Sequence, residues 1–198
     1  MGWGSRGKGE VEIALSCDEQ SAQTTPSAIW LLCHYPDTAE TDERVDKAVA
    51  QHRETGCPIW LYGSNSARYP ESVERLIKQK LLRKGLRPDV ILCSSDLGAT
   101  PSLDTVQEAH NVAAEANRRG IRKLICVSNR LQLLQVRALL RNEPISFVWV
   151  ATPLRDWRWW YVLGRILLIP LAFIGIGRQF APLVFIRWAR ARLEMWPF

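Results

Sequence analysis

Five short apolar runs constrain this chain more than any other feature. They are Ala28–Cys33, Ile59–Tyr62, Asp89–Cys93, Lys123–Val127 and Ile145–Val150. None alternates polar with apolar residues, so each predicts a strand covered on both faces, as in a parallel sheet. The segments between them have helical spacing. Val45, Ala48 and Val49 share one face, and so do Val73, Leu76, Ile77 and Leu81. The spacing predicts helices from Thr41 to the stop at Gly56, from Pro70 to Lys84, from Thr105 to Arg118 and from Leu131 to Arg141. Strand and helix in strict alternation imply right-handed crossovers. The expected fold is a three-layer α/β domain on a mostly parallel sheet of five to six strands. Val11–Leu15 is the candidate for a sixth, edge strand.

In such a sheet ligands bind beyond the C-terminal ends of the strands. The stretch from Pro58 to Ser72 shows the unit best: a strand, a break at Gly63, small polar residues, then a helix start. Free backbone N–H groups at a helix start suit anions. The loops at that end collect His34, Gly63, Ser64, Asn65, Ser66, Asp96, Thr105, Ser128 and Asn129. Together they read as a pocket for a phosphate-bearing or nucleotide-like ligand. Gly63 would allow close backbone approach, and Ser64 and Ser66 would donate to anionic oxygens. Glu71 is the candidate catalytic carboxylate, as a base or as a partner for a sugar hydroxyl. Each has a plainer role as well: a tight turn at Gly63, a loop histidine at His34, an N-terminal helix residue at Thr105. For Glu71 the plainer role is a first-turn helix charge worth about 0.3–1 kcal/mol. The chain has no GxGxxG, GxxxxGK[ST], GxSxG or HExxH motif.

Charge divides the chain into parts. The net charge is +6. From residue 151 onward seven arginines face only Asp156 and Glu194, so nearly all of that surplus sits in the last 48 residues. Five of the nine tryptophans are there too. Arg and Trp beside apolar runs suit a membrane interface. The polar Lys/Arg clusters of a nucleic-acid surface are missing, and no nucleic-acid partner is expected. The run Trp159–Gly177 carries one charge, Arg165, and also Pro170. A spanning helix needs about 20 apolar residues, and a central Arg costs about 2.5–3.5 kcal/mol on insertion scales. The segment Phe180–Met195 is amphipathic. The tail is therefore expected to lie in or dip into a bilayer leaflet through Trp159, Trp160, Arg165, Arg178, Arg187 and Trp188. A true span and a packing role on the domain remain alternatives. The division expected is a leader (1–26), an α/β domain (27–151) and a basic, Trp-rich helical tail (152–198). The first 23 residues lack the continuous apolar core of an export signal. The expected place is thus the cytoplasmic face of the inner membrane, with a soluble cytoplasmic protein as the alternative. The five cysteines form no CxxC pair and, with three histidines, no metal-like spacing. They read as small hydrophobes in a reducing compartment, and no metal is expected.

From Ile29 to Arg141 the chain resembles the ElyC/SanA/YdcF family of bacterial envelope-linked α/β domains. Arg44 matches the Arg that opens the family's first helix region. Tyr62-Gly63-Ser64 keeps the first glycine of its Ser-Gly-Gly loop, and Glu71 matches the Glu that follows. Gly85-Leu86-Arg87-Pro88 stands for its Gly-Val-Pro turn. Asp104-Thr105-Val106-Gln107-Glu108-Ala109 stands for Asn-Thr-x-Glu-Asn-Ala, with Thr105 and Ala109 retained. After Val127-Ser128 the family has His and, three residues on, Arg; this chain has Gln132 and Gln135. Gln cannot transfer protons near neutral pH as His does, nor grip an anion bidentately as Arg does. The resemblance implies a Rossmann-like fold, a role near cell-envelope or cell-wall precursor metabolism and, for one branch, S-adenosylmethionine as a cofactor. The implied partners are a membrane surface and a small anionic or lipid-linked ligand. The alternative is a non-catalytic scaffold or binding protein that kept the fold without the His and Arg.

Overall fold

The computed structural model describes residues 26–33, 35–63, 71–99, 102, 105–155, 162–163, 166 and 169–170. Five strands, β1 (Ser27–Leu32), β2 (Ile59–Tyr62), β3 (Ile91–Cys93), β4 (Lys123–Asn129) and β5 (Ser146–Thr152), form one sheet in the order β3-β2-β1-β4-β5. Every pairing is parallel. This is the order of the first five strands of a doubly wound dinucleotide-binding sheet, whose direction reverses between β1 and β4. Helices α1 (Ala39–Thr55), α2 (Val73–Arg83), α3 (Thr105–Arg118) and α4 (Arg130–Leu139) are the crossovers.

The period of two along a strand explains the unbroken apolar runs. Trp30, Leu32, Trp60, Tyr62, Leu124 and Cys126 point to one face and pack under α3 and α4. Ile29, Leu31, Ile59, Leu61, Ile125 and Val127 point to the other, against Val45, Val49, Ile77 and Leu81 of α1 and α2. Each fully buried Leu or Ile contributes about 1.5–3 kcal/mol. Both layers are therefore needed, and a polar residue on either strand face would be stranded in a core.

Element ends follow local chemistry. α1 starts two residues before the expected Thr41 because the Thr38 hydroxyl accepts the Thr41 N–H and caps it. α2 starts at Val73, later than the expected Pro70, because Ser72 is its cap. It closes into Gly85, whose φ of +85° suits a residue without a side chain. The third strand is shorter than expected. Pro88–Val90 is a 3₁₀ turn and only Ile91–Cys93 pairs with β2. β4 is longer, and takes in Ser128 and Asn129 in place of the expected loop. The sheet has five strands among the described residues; the expected strand Val11–Leu15 lies outside them. Within the tail, Val162, Leu163, Ile166, Ile169 and Pro170 are helical, and no helix among the described residues is long and apolar enough to cross a membrane.

Candidate functional site: the polar ends of the strands

At the C-terminal end of the sheet, polar side chains from both helical layers are buried together. Arg44, projecting from α1, is almost fully buried. Its Nη1 donates to the Leu32 carbonyl at the end of β1 and to Gln132 Oε1 on α4, each at 3.0 Å. Its Nη2 is paired with Glu40, one turn back on α1. One guanidinium thus ties both layers to the strand between them.

Gln132 is the second hub. Its Oε1 also accepts the Ser128 hydroxyl at 2.9 Å, and its Nε2 donates to Thr105 Oγ1 at 3.3 Å. Its backbone N–H is capped by Asn129 Oδ1 at 2.8 Å. Asn129 Nδ2 in turn donates to Glu40 Oε1 at 2.6 Å. Arg44, Thr105, Ser128, Asn129 and Gln132 therefore meet around the β1/β4 switch point. Of the residues that sequence reasoning places beyond the strand ends, Thr105, Ser128 and Asn129 meet here, each bonded to Gln132.

A second cluster lies at the ends of β2 and β3. Glu74, in the first turn of α2, accepts the Gly63 N–H at 2.6 Å, the Ser94 N–H at 3.2 Å and the Ser94 hydroxyl at 2.9 Å. Burial pushes its carboxyl above the usual value, and these three donors pull it partway back. Gly63 is glycine for a packing reason. A Cβ there would lie 2.8 Å from Glu74 Cγ and 3.0 Å from its backbone nitrogen. The close approach that Gly63 permits is therefore made by α2 of the same chain.

A third carboxylate, Glu108 of α3, accepts the Trp30 indole N–H at 3.1 Å and the Cys33 N–H at 3.4 Å. Burial, with Glu108 and Glu74 nearby, pushes the Cys33 thiol well above its usual range. Burial likewise raises Cys93 to about 11. Neither thiol is poised as a nucleophile. Cys93 and Cys126 are buried as expected, whereas Cys33 and Cys57 are only partly so.

Several expected residues fall elsewhere. Glu71 precedes α2, half-exposed, and bonds to Arg75 and Gln79, both at 3.4 Å. It is not among the residues brought together at the strand ends. Asp96 accepts the Cys93 N–H at 2.9 Å and pairs with Lys78 at 3.3 Å, which together hold its carboxyl below the usual range. Its role is to close the turn after β3. His34, Ser64, Asn65 and Ser66 lie outside the described residues, as do Trp159, Trp160, Arg165, Arg178, Arg187 and Trp188. Sequence reasoning misses Glu40, Glu74, Glu108 and Ser94. The legible signal is a carboxylate on a buried helix stripe: Glu74 sits beside Val73 and three residues before Ile77, and Glu108 lies four before Val112.

The shared feature of Glu74 and Glu108 is what they hold. Backbone N–H groups just past β1, β2 and β3, those of Cys33, Gly63 and Ser94, are the donors a phosphate would use. Carboxylates of the chain itself accept all three. Among the described residues Arg44 is the only buried cation against these acids and Glu40, and no group of His, Cys, Asp and Glu is arranged to hold a metal. Comparison with protein-family models, with curated proteins and with solved structures gives no match.

Proposed function

We propose that this chain is a non-catalytic binding or scaffold domain of the ElyC/SanA/YdcF type, working at the cytoplasmic face of a cell membrane in envelope metabolism. One observation carries the reading: the chain's own groups take up the backbone donors and both terminal nitrogens of the guanidinium at the strand ends. An Arg that spans both layers and pairs with Glu40 and Gln132 is a structural tie. A Gln in the place of the family's His cannot act as acid or base at that position. Three buried carboxylates at the same end disfavour a phosphate and favour a neutral polyol or a cation. The membrane part of the reading rests on the Arg- and Trp-rich tail, and on Leu163 and Ile166, which are 47% and 52% exposed on its helical part.

A second reading keeps a ligand. S-adenosylmethionine, which the family resemblance suggests, carries a sulfonium cation and a ribose, and both suit a carboxylate-rich strand end better than a phosphate does. A thermal-shift panel on the full chain in mild detergent separates the two. It contains S-adenosylmethionine, nucleotides, nucleotide sugars and polyprenyl phosphates. A ligand at about 100 times its Kd stabilises by about 2.7 kcal/mol. The scaffold reading expects no shift from any of them. A shift from S-adenosylmethionine alone, lost in Glu74→Gln, would establish the second reading. A shift from a phosphate compound that survives Glu71→Ala and is lost in Thr105→Ala would overturn both. Membrane association is read by flotation with anionic vesicles. Release by salt indicates surface binding, release only by detergent indicates insertion, and a chain that never floats contradicts the placement.

A further inference from the structure

The two edges of the sheet are built differently. β3 is three residues long, follows Pro88, and is flanked by the exposed ion pair of Arg87 and Asp89. Short length, proline and charge are the usual devices that stop an edge from pairing. β5 has none of them. Its seven residues, Ser-Phe-Val-Trp-Val-Ala-Thr, include no charge, proline or glycine. Its inner side pairs with β4 over its whole length, and its outer side pairs with no described strand. Phe147 and Trp149 stack on one face with ring centroids 5.3 Å apart, and Val148 on the other is 36% exposed.

We propose that β5 pairs antiparallel with β5 of a second copy about a twofold axis, joining two sheets into one of ten strands. The strand fits itself. Antiparallel pairing centred on Trp149 sets Trp149 opposite its own copy, and Val148 opposite Val150 of the partner subunit. Phe147 then faces Ala151 of the partner subunit, and Ser146 faces Thr152 of the partner subunit. No like charges meet, and the apolar pairs are of the kind that stabilise adjacent strands. The axis of such a pairing is normal to the sheet, so α1 and α2 of both copies lie on the same side. Arg155, where the tail departs, is held on that side: its backbone N–H donates to Glu40 Oε2 at 3.1 Å and its Nε to Glu43 Oε1 at 2.8 Å. Two tails would then leave toward one surface, an arrangement that doubles contact with a membrane without bending the domain.

The test is sedimentation of the full chain in mild detergent, with thermal melting as a check on folding. The expected mass is twice the 22.6 kDa of one copy. Val148→Lys, at an exposed position, is expected to give monomers that melt like the wild type. So is Val150→Glu. An equal mixture of the two variants is expected to restore dimers, since the introduced lysine and the introduced glutamate face each other across the axis only in the mixed pair. A monomeric wild type overturns the proposal. So does a dimer that survives Val148→Lys, or a mixture that stays monomeric. Loss of vesicle flotation in Val148→Lys with no change in mass would place a bilayer on this edge and overturn it too.

Discussion

Two polar clusters share the C-terminal end of the sheet, and they solve the same problem in different ways. At the β1/β4 switch point, Glu40 is buried with a cation. Arg44 neutralises it through Nη2 and gives Nη1 to a carbonyl and an amide, while its buried Nε has no partner among the described residues. At the ends of β2 and β3, Glu74 is buried with neutral donors only, two backbone N–H groups and a hydroxyl. The first arrangement loses much if one partner is removed, because an unpaired charge remains in a dry place. The second has neutral donors that offset burial only in part, so its proton affinity stays raised. One cluster is a fixed tie between layers, and the other holds a carboxyl that burial keeps above its usual value.

Replacing Arg44 by Met should break that contrast most. It takes the guanidinium away from the buried Glu40, and the expected loss is about 3–5 kcal/mol of unfolding free energy by urea titration. A loss under about 0.5 kcal/mol, the level of a plain surface change, would show that the guanidinium is spare. Gly63→Ala comes next. Its methyl would press on Glu74 Cγ and on the α2 backbone, and the expected cost is about 1–3 kcal/mol. An unaffected melting curve would mean that α2 can step away from β2.

Glu74→Gln sharpens the other side of the comparison. The folded carboxyl sits above its ordinary value of 4.5, so the native state holds this proton more tightly than the unfolded chain. Stability from this group is therefore present at low pH and lost as pH rises from about 4.5 through the folded value. The wild type should lose stability relative to Glu74→Gln over that range, in urea titrations from about pH 4 to 8. A difference that stays constant would contradict the assignment. Glu71→Ala is the smallest expected effect. The carboxylate is half-exposed and shares only long contacts with Arg75 and Gln79, so the change should stay within about 0.5 kcal/mol and leave any in vivo function intact. A loss of function would return Glu71 to the site.

The fold is legible in the sequence because its signals are redundant. The strand Ile59–Tyr62 and the helix Thr105–Arg118 fold with the bounds that the sequence predicts, since apolar period and breakers agree there. The strand ends are legible as a place and only partly as a set of residues. Thr105, Ser128 and Asn129 stand out for their position after strands, and they do meet around Gln132. Glu40, Glu74 and Glu108 do not stand out, because a glutamate in a first helical turn ordinarily faces water. Only the tertiary fold shows which of them lies over a strand end. Gly63 reads as room for a ligand because a glycine's neighbour cannot be seen in one dimension; that neighbour is Glu74. Gln132 reads, through the family resemblance alone, as standing where an acid–base group would be. In structure it is bonded to Arg44, Ser128, Thr105 and Asn129.

The central claim is that the strand-end groups serve each other. The most direct measurement is a double-mutant cycle on Glu40 and Arg44, read as unfolding free energy for the wild type, Glu40→Gln, Arg44→Met and the pair. The account predicts that each single change costs heavily and that the double variant regains part of the loss, with a coupling of about 0.5–3 kcal/mol. Additive costs would contradict it, because they would mean that Arg44 is held by something other than Glu40 and that its charge is available to a ligand.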